Sequence, residues 1–165
     1  MRKQLVVDSS VLIALSRKGK LVDRLTRWKS EGYQVKIPKA IAEEVIEEPQ
    51  RFAQEIRERS PVLADTITAS ATMIKTTIAQ GLIKVETVNY GKHSKVMDNV
   101  RKHLSKLDAK PEHAIKKGDP ELIALVIQIY GEAKEKVFVA TLDKGLLKAL
   151  KPFSNEVEYE VLEML

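Results

Sequence analysis

The stretch Leu5-Val6-Val7-Asp8-Ser9-Ser10 joins a short apolar run to a single carboxylate and two hydroxyls. A helical pattern of apolar residues begins directly after it, carried by Val11, Leu12, Ile13 and Leu15. This succession is typical of a buried central strand that leads into a helix, and ligands bind at the carboxyl edges of such α/β sheets. The stretch therefore predicts a strand over residues 4–8, a helix capped by Ser9 or Ser10, and a candidate site at Asp8.

Further strands and helices alternate along the remainder of the chain. Apolar runs predict four more strands, at 33–37, 82–88, 137–141 and 157–162. Apolar stripes and proline or glycine boundaries predict the helices, at 21–31, 38–48, 50–60, 61–80, 95–107, 119–130 and 143–150. In these stripes Phe52, Ile56, Leu63 and Ile74 are expected to face inward. Such alternation favours a parallel sheet covered by helices on both faces.

The length of 165 residues suits one domain, expected to span 1–165 with an extended helical segment at about 50–117. The chain has no cysteine, which excludes disulfides and thiolate metal sites and favours a reducing compartment such as the cytoplasm. Because Asp8 interrupts the first apolar run, this run is expected to be neither a signal peptide nor a membrane span.

The net charge of +5 is distributed unevenly. Residues 1–40 hold ten Lys and Arg against three acids, and residues 84–117 hold nine against four, together with all three His. Residues 153–165 hold four Glu and no basic residue. Two interpretations stay open, a basic face that attracts nucleic acid and an ordinary solvated surface.

Asp8 and Asp143 occupy matching places, each just past an apolar strand and just before a helix. Neighbouring strands lie about 4.8 Å apart, so the two carboxylates could meet at one edge of the sheet, or each could merely cap its helix. Asp119 precedes Pro120 in a pattern that is also an ordinary helix start. Glu44 belongs to a glutamate-rich helical face but lies near its apolar boundary.

Carboxylates that converge on one site repel each other, and some take up protons unless a cation offsets their charge. Hard oxygen ligands without cysteine favour Mg²⁺ or Mn²⁺, which can polarise a phosphate and activate water. The chain has no glycine-rich phosphate loop, and its three histidines lie ten residues apart, a spacing that fits no common metal motif.

Four acidic blocks of the chain, taken in order, resemble those of PIN-domain ribonucleases, which include VapC-type toxins. The blocks are Val7-Asp8-Ser9-Ser10-Val11-Leu12-Ile13, Pro38-x-x-Ile41-x-x-Glu44-Val45, Gly118-Asp119-x-Glu121-Leu122-x-Ala124-Leu125 and Ala140-Thr141-Leu142-Asp143. The resemblance implies a three-layer α/β/α sandwich with a five-stranded parallel sheet. It also implies hydrolysis of RNA phosphodiester bonds that depends on Mg²⁺ or Mn²⁺.

The resemblance also assigns roles to individual residues. It implies that Asp8, Glu44, Asp119 and Asp143 are the catalytic, metal-binding acids, supported by the hydroxyls of Ser10 and Thr141. Glu121 could replace or assist Asp119. Proximity in the sequence to these acids marks four candidates for phosphate contact, Arg17, Lys18, Lys20 and Lys144. The expected partners are RNA, a second copy in a homodimer and, for a toxin, a small antitoxin protein; no membrane partner is expected.

Three functional hypotheses follow. The first is a metal-dependent endoribonuclease, either the toxin of a toxin–antitoxin pair or an RNA-processing enzyme. The second is a non-catalytic member of the same fold that binds RNA or protein. The third is a phosphotransferase or phosphatase in which phosphate is transferred to Asp8; Ser10 stands where that class has a second aspartate, which counts against it.

Overall fold

A computed structural model describes residues 2–115 and 118–162 of the chain. The described residues form one parallel sheet of five strands in the order β3-β2-β1-β4-β5. The strands are β1 Lys3–Val7, β2 Tyr33–Pro38, β3 Lys84–Glu86, β4 Val137–Ala140 and β5 Tyr159–Val161. The chain leaves β1 toward one edge of the sheet and β4 toward the other, so the carboxyl ends of β1 and β4 form a topological switch point, with Val7 paired to Ala140.

The helices cover both faces of the sheet and form a three-layer α/β/α sandwich, as the sequence predicts. They are α1 Ser9–Arg17, α2 Leu21–Ser30, α3 Lys39–Ala42, α4 Glu48–Ile56, α5 Pro61–Ala79, α6 Tyr90–Asp108, α7 Gly118–Ala133 and α8 Lys144–Leu150. A π-helical turn, Glu43–Glu47, links α3 to α4, and short 3₁₀ turns lie at Glu112–Ala114 and Lys151–Phe153. None of the described helices is long and apolar enough to cross a membrane.

The centre of the core is β1 together with α7. Leu5, Val6 and Val7 have no exposed surface, because helices cover both faces of this central strand. On α7 the five consecutive residues Leu122–Val126 are also fully buried. Truncating one buried leucine or isoleucine of this kind to alanine costs about 2–5 kcal/mol, so displacing either element would be unfavourable. The packing therefore fixes β1, which leads into Asp8, and α7, which carries Asp119.

The start of α1 differs from the sequence prediction. Strand β1 ends at Val7, and Asp8 itself is the N-cap of α1, since its side chain accepts a hydrogen bond from the Ser9 amide. The prediction that Ser9 or Ser10 caps this helix is therefore wrong. With the cap provided by Asp8, the hydroxyl of Ser10 is available for other contacts.

Pro49 does not end the helical path, contrary to the sequence prediction. The path runs from α3 through the π-helical turn into α4, and the Glu48 amide bonds the Glu43 carbonyl five residues earlier. Proline lacks an amide hydrogen and clashes with the preceding turn of a regular α-helix. The wider π-helical turn, which ends two residues before Pro49, makes room for the proline ring and displaces the register of the glutamates that it contains.

Two large apolar residues predicted to face inward lie outside. Phe52 is 50% exposed and Leu63 is 51% exposed, whereas Ile56 and Ile74 are buried as predicted. The antiparallel helices α4 and α5 meet through small residues, Ala53 and Ala64, packed with Ile56. The face of α4 that meets α5 is thus formed by Ala53 and Ile56 and does not include Phe52.

Helix α6 is longer than predicted, because it begins at Tyr90 and not at residue 95. Asn89 caps it by accepting a hydrogen bond from the Lys92 amide, and Asn89 donates its own amide to Gln128 of α7. Strands β3 and β5 are shorter than the apolar runs that predict them. Pro111 and Gly118 predict a connector over residues 108–118, and part of this segment lies outside the described residues.

Candidate metal centre

Three carboxylates from distant parts of the chain converge at the switch point of the sheet. Oxygens of Asp8, Asp119 and Asp143 all lie within 4.8 Å of one another. Asp8 follows β1, Asp143 follows β4 by three residues, and Asp119 lies in the first turn of α7. Asp8 is buried, Asp119 is half-buried and Asp143 is exposed, so the cluster opens to solvent on one side.

Asp8 is held by hydrogen bonds on both oxygens. Oδ1 accepts from the Ser9 amide at 2.8 Å, and Oδ2 accepts from the Ser10 and Thr141 hydroxyls at 2.9 and 2.8 Å. Only 2% of the residue is exposed. This contact network fixes the orientation of the carboxylate before any ligand binds.

Thr141 and Ser10 tie Asp8 to the segment after β4. The Asp143 amide donates to the Thr141 hydroxyl at 2.9 Å, and that hydroxyl in turn donates to Asp8. Similarly, the Leu142 amide donates to the Ser10 hydroxyl at 3.1 Å, and Ser10 donates to Asp8. Each hydroxyl uses both its donor and its acceptor capacity, so the two side chains set the distance between the segments that carry Asp8 and Asp143.

Asp143 joins the cluster and also caps a helix. Its Oδ1 accepts from the Gly145 amide at 2.8 Å and from the Leu146 amide at 3.4 Å, as an N-cap of α8 does. A Cβ atom at position 145 would lie 3.1 Å from this oxygen, which favours glycine there. Asp8 and Asp143 therefore do both things that the sequence suggested as alternatives: each caps a helix, and their carboxylates are neighbours at one site.

Asp119 experiences the strongest electrostatic effect of the cluster. The pKa of its carboxyl rises from an ordinary 3.8 to about 7, first because it is buried and then because the charges of other acids oppose its ionisation. Those acids are Asp8, Asp143, Glu44 and Asp108, in decreasing order. Around neutral pH Asp119 is therefore about half protonated, and a cation would displace this proton.

Glu44 lies beside this cluster but is not one of the three acids grouped among the described residues. Its Oε1 accepts from the Gly118 amide at 3.1 Å, at the first residue of α7. A Cβ atom at position 118 would lie 2.2 Å from that oxygen, so the contact requires glycine. The π-helical turn places Glu44 here, where it contacts the start of the helix that carries Asp119.

Glu121 is turned toward other partners, although only one residue separates it from Asp119. Its Oε2 accepts from the Tyr90 hydroxyl at 2.7 Å, and its Oε1 accepts from the Ala40 amide at 3.4 Å. This bond and partial burial raise the pKa of Tyr90 to about 12. No local pattern in the sequence marks Tyr90, because its partner lies 31 positions away.

The predicted phosphate contacts fall into two groups. Lys144 is exposed and follows Asp143 directly as the first residue of α8. Arg17, Lys18 and Lys20 are exposed at the opposite end of α1, which extends about 13 Å at 1.5 Å per residue from Asp8. Their role in binding a substrate stays a prediction.

The donor set fits a divalent cation. Three hard oxygen donors meet with an excess of negative charge, and the raised pKa of Asp119 expresses the repulsion that a cation would relieve. A separate cleft of about 570 Å³ near the amino ends of β2 and β3 is lined by Arg2, Lys29 and Lys84 but by no carboxylate. The metal chemistry therefore belongs to the carboxyl edge.

The Halobacterial PIN domain family model matches residues 1–162. Since this match covers nearly the whole chain, the chain belongs to the PIN-domain family, whose members are generally nucleases that use divalent metals. No curated protein matches the chain. A solved domain of a functionally unknown protein from Methanocaldococcus jannaschii is similar over 99% of this chain and 93% of that chain, with 20% identity and a TM-score of 0.47.

Proposed function

We propose that this protein is a metal-dependent endoribonuclease that hydrolyses RNA phosphodiester bonds. The observation that carries the proposal is the convergence of Asp8, Asp119 and Asp143 at the switch point, with oxygens within 4.8 Å of one another. Membership of a family of nucleases supports the reaction class.

In this proposal Asp8, Asp119 and Asp143 hold Mg²⁺ or Mn²⁺. A bound ion of this kind would supply Lewis-acid polarisation of a phosphate and activation of water. Asp119 loses its proton when it becomes a ligand, because metal ligands must be deprotonated. Glu44 acts as a positioning residue through its bond to the Gly118 amide, and its negative charge adds to the affinity of the site for a cation.

The remaining residues of the site orient the acids and the substrate. Ser10 and Thr141 fix the carboxylate of Asp8, and such supporting partners typically contribute 10–100-fold to metal affinity or activity. Lys144 contacts a phosphate beside Asp143 in this scheme. Glu121 holds Tyr90 and the start of α3 at the margin of the site and is not a ligand.

We extend the proposal to two biological settings, a toxin neutralised by a small antitoxin protein and an RNA-processing enzyme, either of them as a homodimer in the cytoplasm. Expression of the chain alone and together with the product of the neighbouring reading frame distinguishes the two. Growth arrest that the neighbour relieves supports the toxin; unaffected growth with altered RNA ends supports the processing enzyme.

The test of the reaction is Asp8→Asn, assayed for cleavage of single-stranded RNA with Mn²⁺. The variant should lose at least roughly 100-fold in rate, more than the loss of a supporting partner causes, while its thermal unfolding stays cooperative. Asp23→Asn, an exposed acid in the first turn of α2, is the matched control and should cleave like the parent protein. Equal cleavage by both variants would refute the proposal, and RNA binding without any cleavage by the parent protein would favour the non-catalytic alternative.

A further inference from the structure

Four exposed lysines of α6 form one stripe, Lys92, Lys95, Lys102 and Lys106. At 100° per residue they fall within an arc of about 80°, and at 1.5 Å per residue the stripe extends over about 21 Å. The opposite face of the helix is buried through Met97, Val100 and Leu104. The lysine stripe therefore points away from the core along most of the helix.

These lysines have no acidic partners in the part of the chain that the structure describes. None of the ion pairs there involves them, and Asp98 of the same helix pairs with Arg101 instead. A row of like charges held on a rigid helix is unfavourable by itself and is relieved when a polyanion binds. Asp98 borders the stripe, three residues after Lys95 and four before Lys102, so this face of α6 carries four lysines beside one acid and has a net positive charge.

The last turn of α6, which follows Lys106, lies toward the carboxylates. Helix α6 packs against α7 and α8, the two helices whose starts hold Asp119 and Asp143. The α6 cap, Asn89, bonds Gln128 deep along α7, whereas the last residue of α6, Asp108, is close enough to act electrostatically on Asp119. The helix therefore runs from the far part of α7 to the rim of the candidate metal centre.

We propose that the lysine stripe of α6 is the track that binds the backbone of single-stranded RNA and guides it to the carboxylates. This inference rests on the proposed function and adds the substrate-binding surface to it. Lysine presents a mobile point charge that suits phosphate groups, and the stripe contains no aromatic side chain on which a base could stack. Recognition by the stripe should thus be independent of base sequence and strongly dependent on salt.

The test measures RNA binding in the Asp8→Asn background, where bound RNA is not cleaved. Three triple variants remove the same charge: Lys95→Gln, Lys102→Gln and Lys106→Gln on α6; Arg17→Gln, Lys18→Gln and Lys20→Gln after α1; and the exposed Lys29→Gln, Lys75→Gln and Lys151→Gln as a control. Each phosphate contact on a single strand contributes about 0.7 to the slope of log K against log salt concentration. The α6 variant should lower this slope by about 2, whereas the control variant should change it by less than about 0.7.

An equal loss of slope in the α6 and control variants would show a general charge effect and overturn the inference. A larger loss in the Arg17, Lys18 and Lys20 variant would place the RNA at the turn after α1 and overturn it as well. This binding test does not depend on catalysis. A parent protein that binds RNA through α6 but does not cleave it would refute the proposed function and leave the inference about α6 intact.

Discussion

Thr141 donates a hydrogen bond of 2.8 Å to Asp8, although 133 positions separate the two residues in the chain. The same hydroxyl accepts from the Asp143 amide, so a single side chain links the carboxylate of Asp8 to the backbone of Asp143. This relationship exists because β1 and β4 are neighbours in the sheet, with Val7 opposite Ala140. The strand order thus creates the site, and Thr141 sets its dimensions.

Replacing Thr141 by valine should therefore weaken metal binding without disrupting the fold. Valine keeps the shape of the side chain but leaves Asp8 without one donor and the Asp143 amide without its acceptor. We expect Mn²⁺ affinity to fall by roughly 10–100-fold, measured by calorimetry. Thr141→Ser retains the hydroxyl and should recover most of the affinity; a Val variant that binds Mn²⁺ like the parent protein would exclude this role.

The raised pKa of Asp119 predicts how the metal-free protein responds to pH. The folded state keeps the proton up to about pH 7, whereas the unfolded chain releases it near 3.8. The contribution to stability is therefore complete below about pH 4 and is lost as the pH rises through 7, and the difference between the two pKa values corresponds to about 4 kcal/mol. Urea unfolding gives the free energy of unfolding of the parent protein and of Asp119→Asn, which lacks this proton equilibrium, as a function of pH. The difference between the two pH profiles measures the contribution of Asp119. Parallel profiles would contradict the assignment.

The same proton competes with the metal. Affinity for Mn²⁺ should rise with pH through about 7, because Asp119 must release its proton before it can be a ligand. Calorimetric titrations at pH 6 and pH 8, in buffers of different ionisation enthalpy, should show proton release at pH 6 that becomes smaller at pH 8. No difference in proton release between the two pH values would show that Asp119 does not control binding.

The contact between Gly118 and Glu44 predicts a pair of variants with the same phenotype. In Gly118→Ala the added Cβ would lie 2.2 Å from Glu44 Oε1, so the flexible glutamate must leave the Gly118 amide. We expect cleavage to decrease about as much as in Glu44→Ala, with a stability change within about 1.5 kcal/mol. The double variant should show no additional loss; fully additive effects would mean that the two residues act separately.

Removing the hydroxyl of Tyr90 should destabilise the protein. Tyr90→Phe leaves Glu121, only 2% exposed, without its 2.7 Å donor. A buried acceptor that loses its partner costs about 1–3 kcal/mol, which chemical denaturation measures. Tyr33→Phe removes an unrelated hydroxyl and is the control. An equal loss of stability in both variants would show that the effect does not come from the bond to Glu121.

The sequence predicted much of the fold because the signals are local. An uninterrupted apolar strand before Asp8, prolines and glycines at helix boundaries, and alternation of strands with helices were sufficient for a parallel sheet between two helical layers. Local signals were misleading where a long-range contact prevails. Phe52 lies outside because Ala53 and Ile56 form the face of α4 that meets α5, and Pro49 is tolerated inside a helical path because a π-helical turn precedes it.

The candidate site likewise has a part that local sequence predicted and a part that it did not. The chain order alone indicated which acids follow strands or start helices, and it could support a choice among Asp8, Asp119, Asp143, Glu44 and Glu121 only through resemblance. The structure separates them, since Glu44 bonds the Gly118 amide and Glu121 bonds Tyr90, while the other three converge.

The sequence by itself determined the elements, the apolar faces and the supply of carboxylates, because backbone propensity and the 2.0 and 3.6 residue periods act over a few neighbouring positions. Only the tertiary structure decided which carboxylates meet and along which part of α7 the helix α6 packs. Those relationships depend on the order of the strands and on hydrogen bonds that span 31 to 133 positions, and no local pattern encodes such distances.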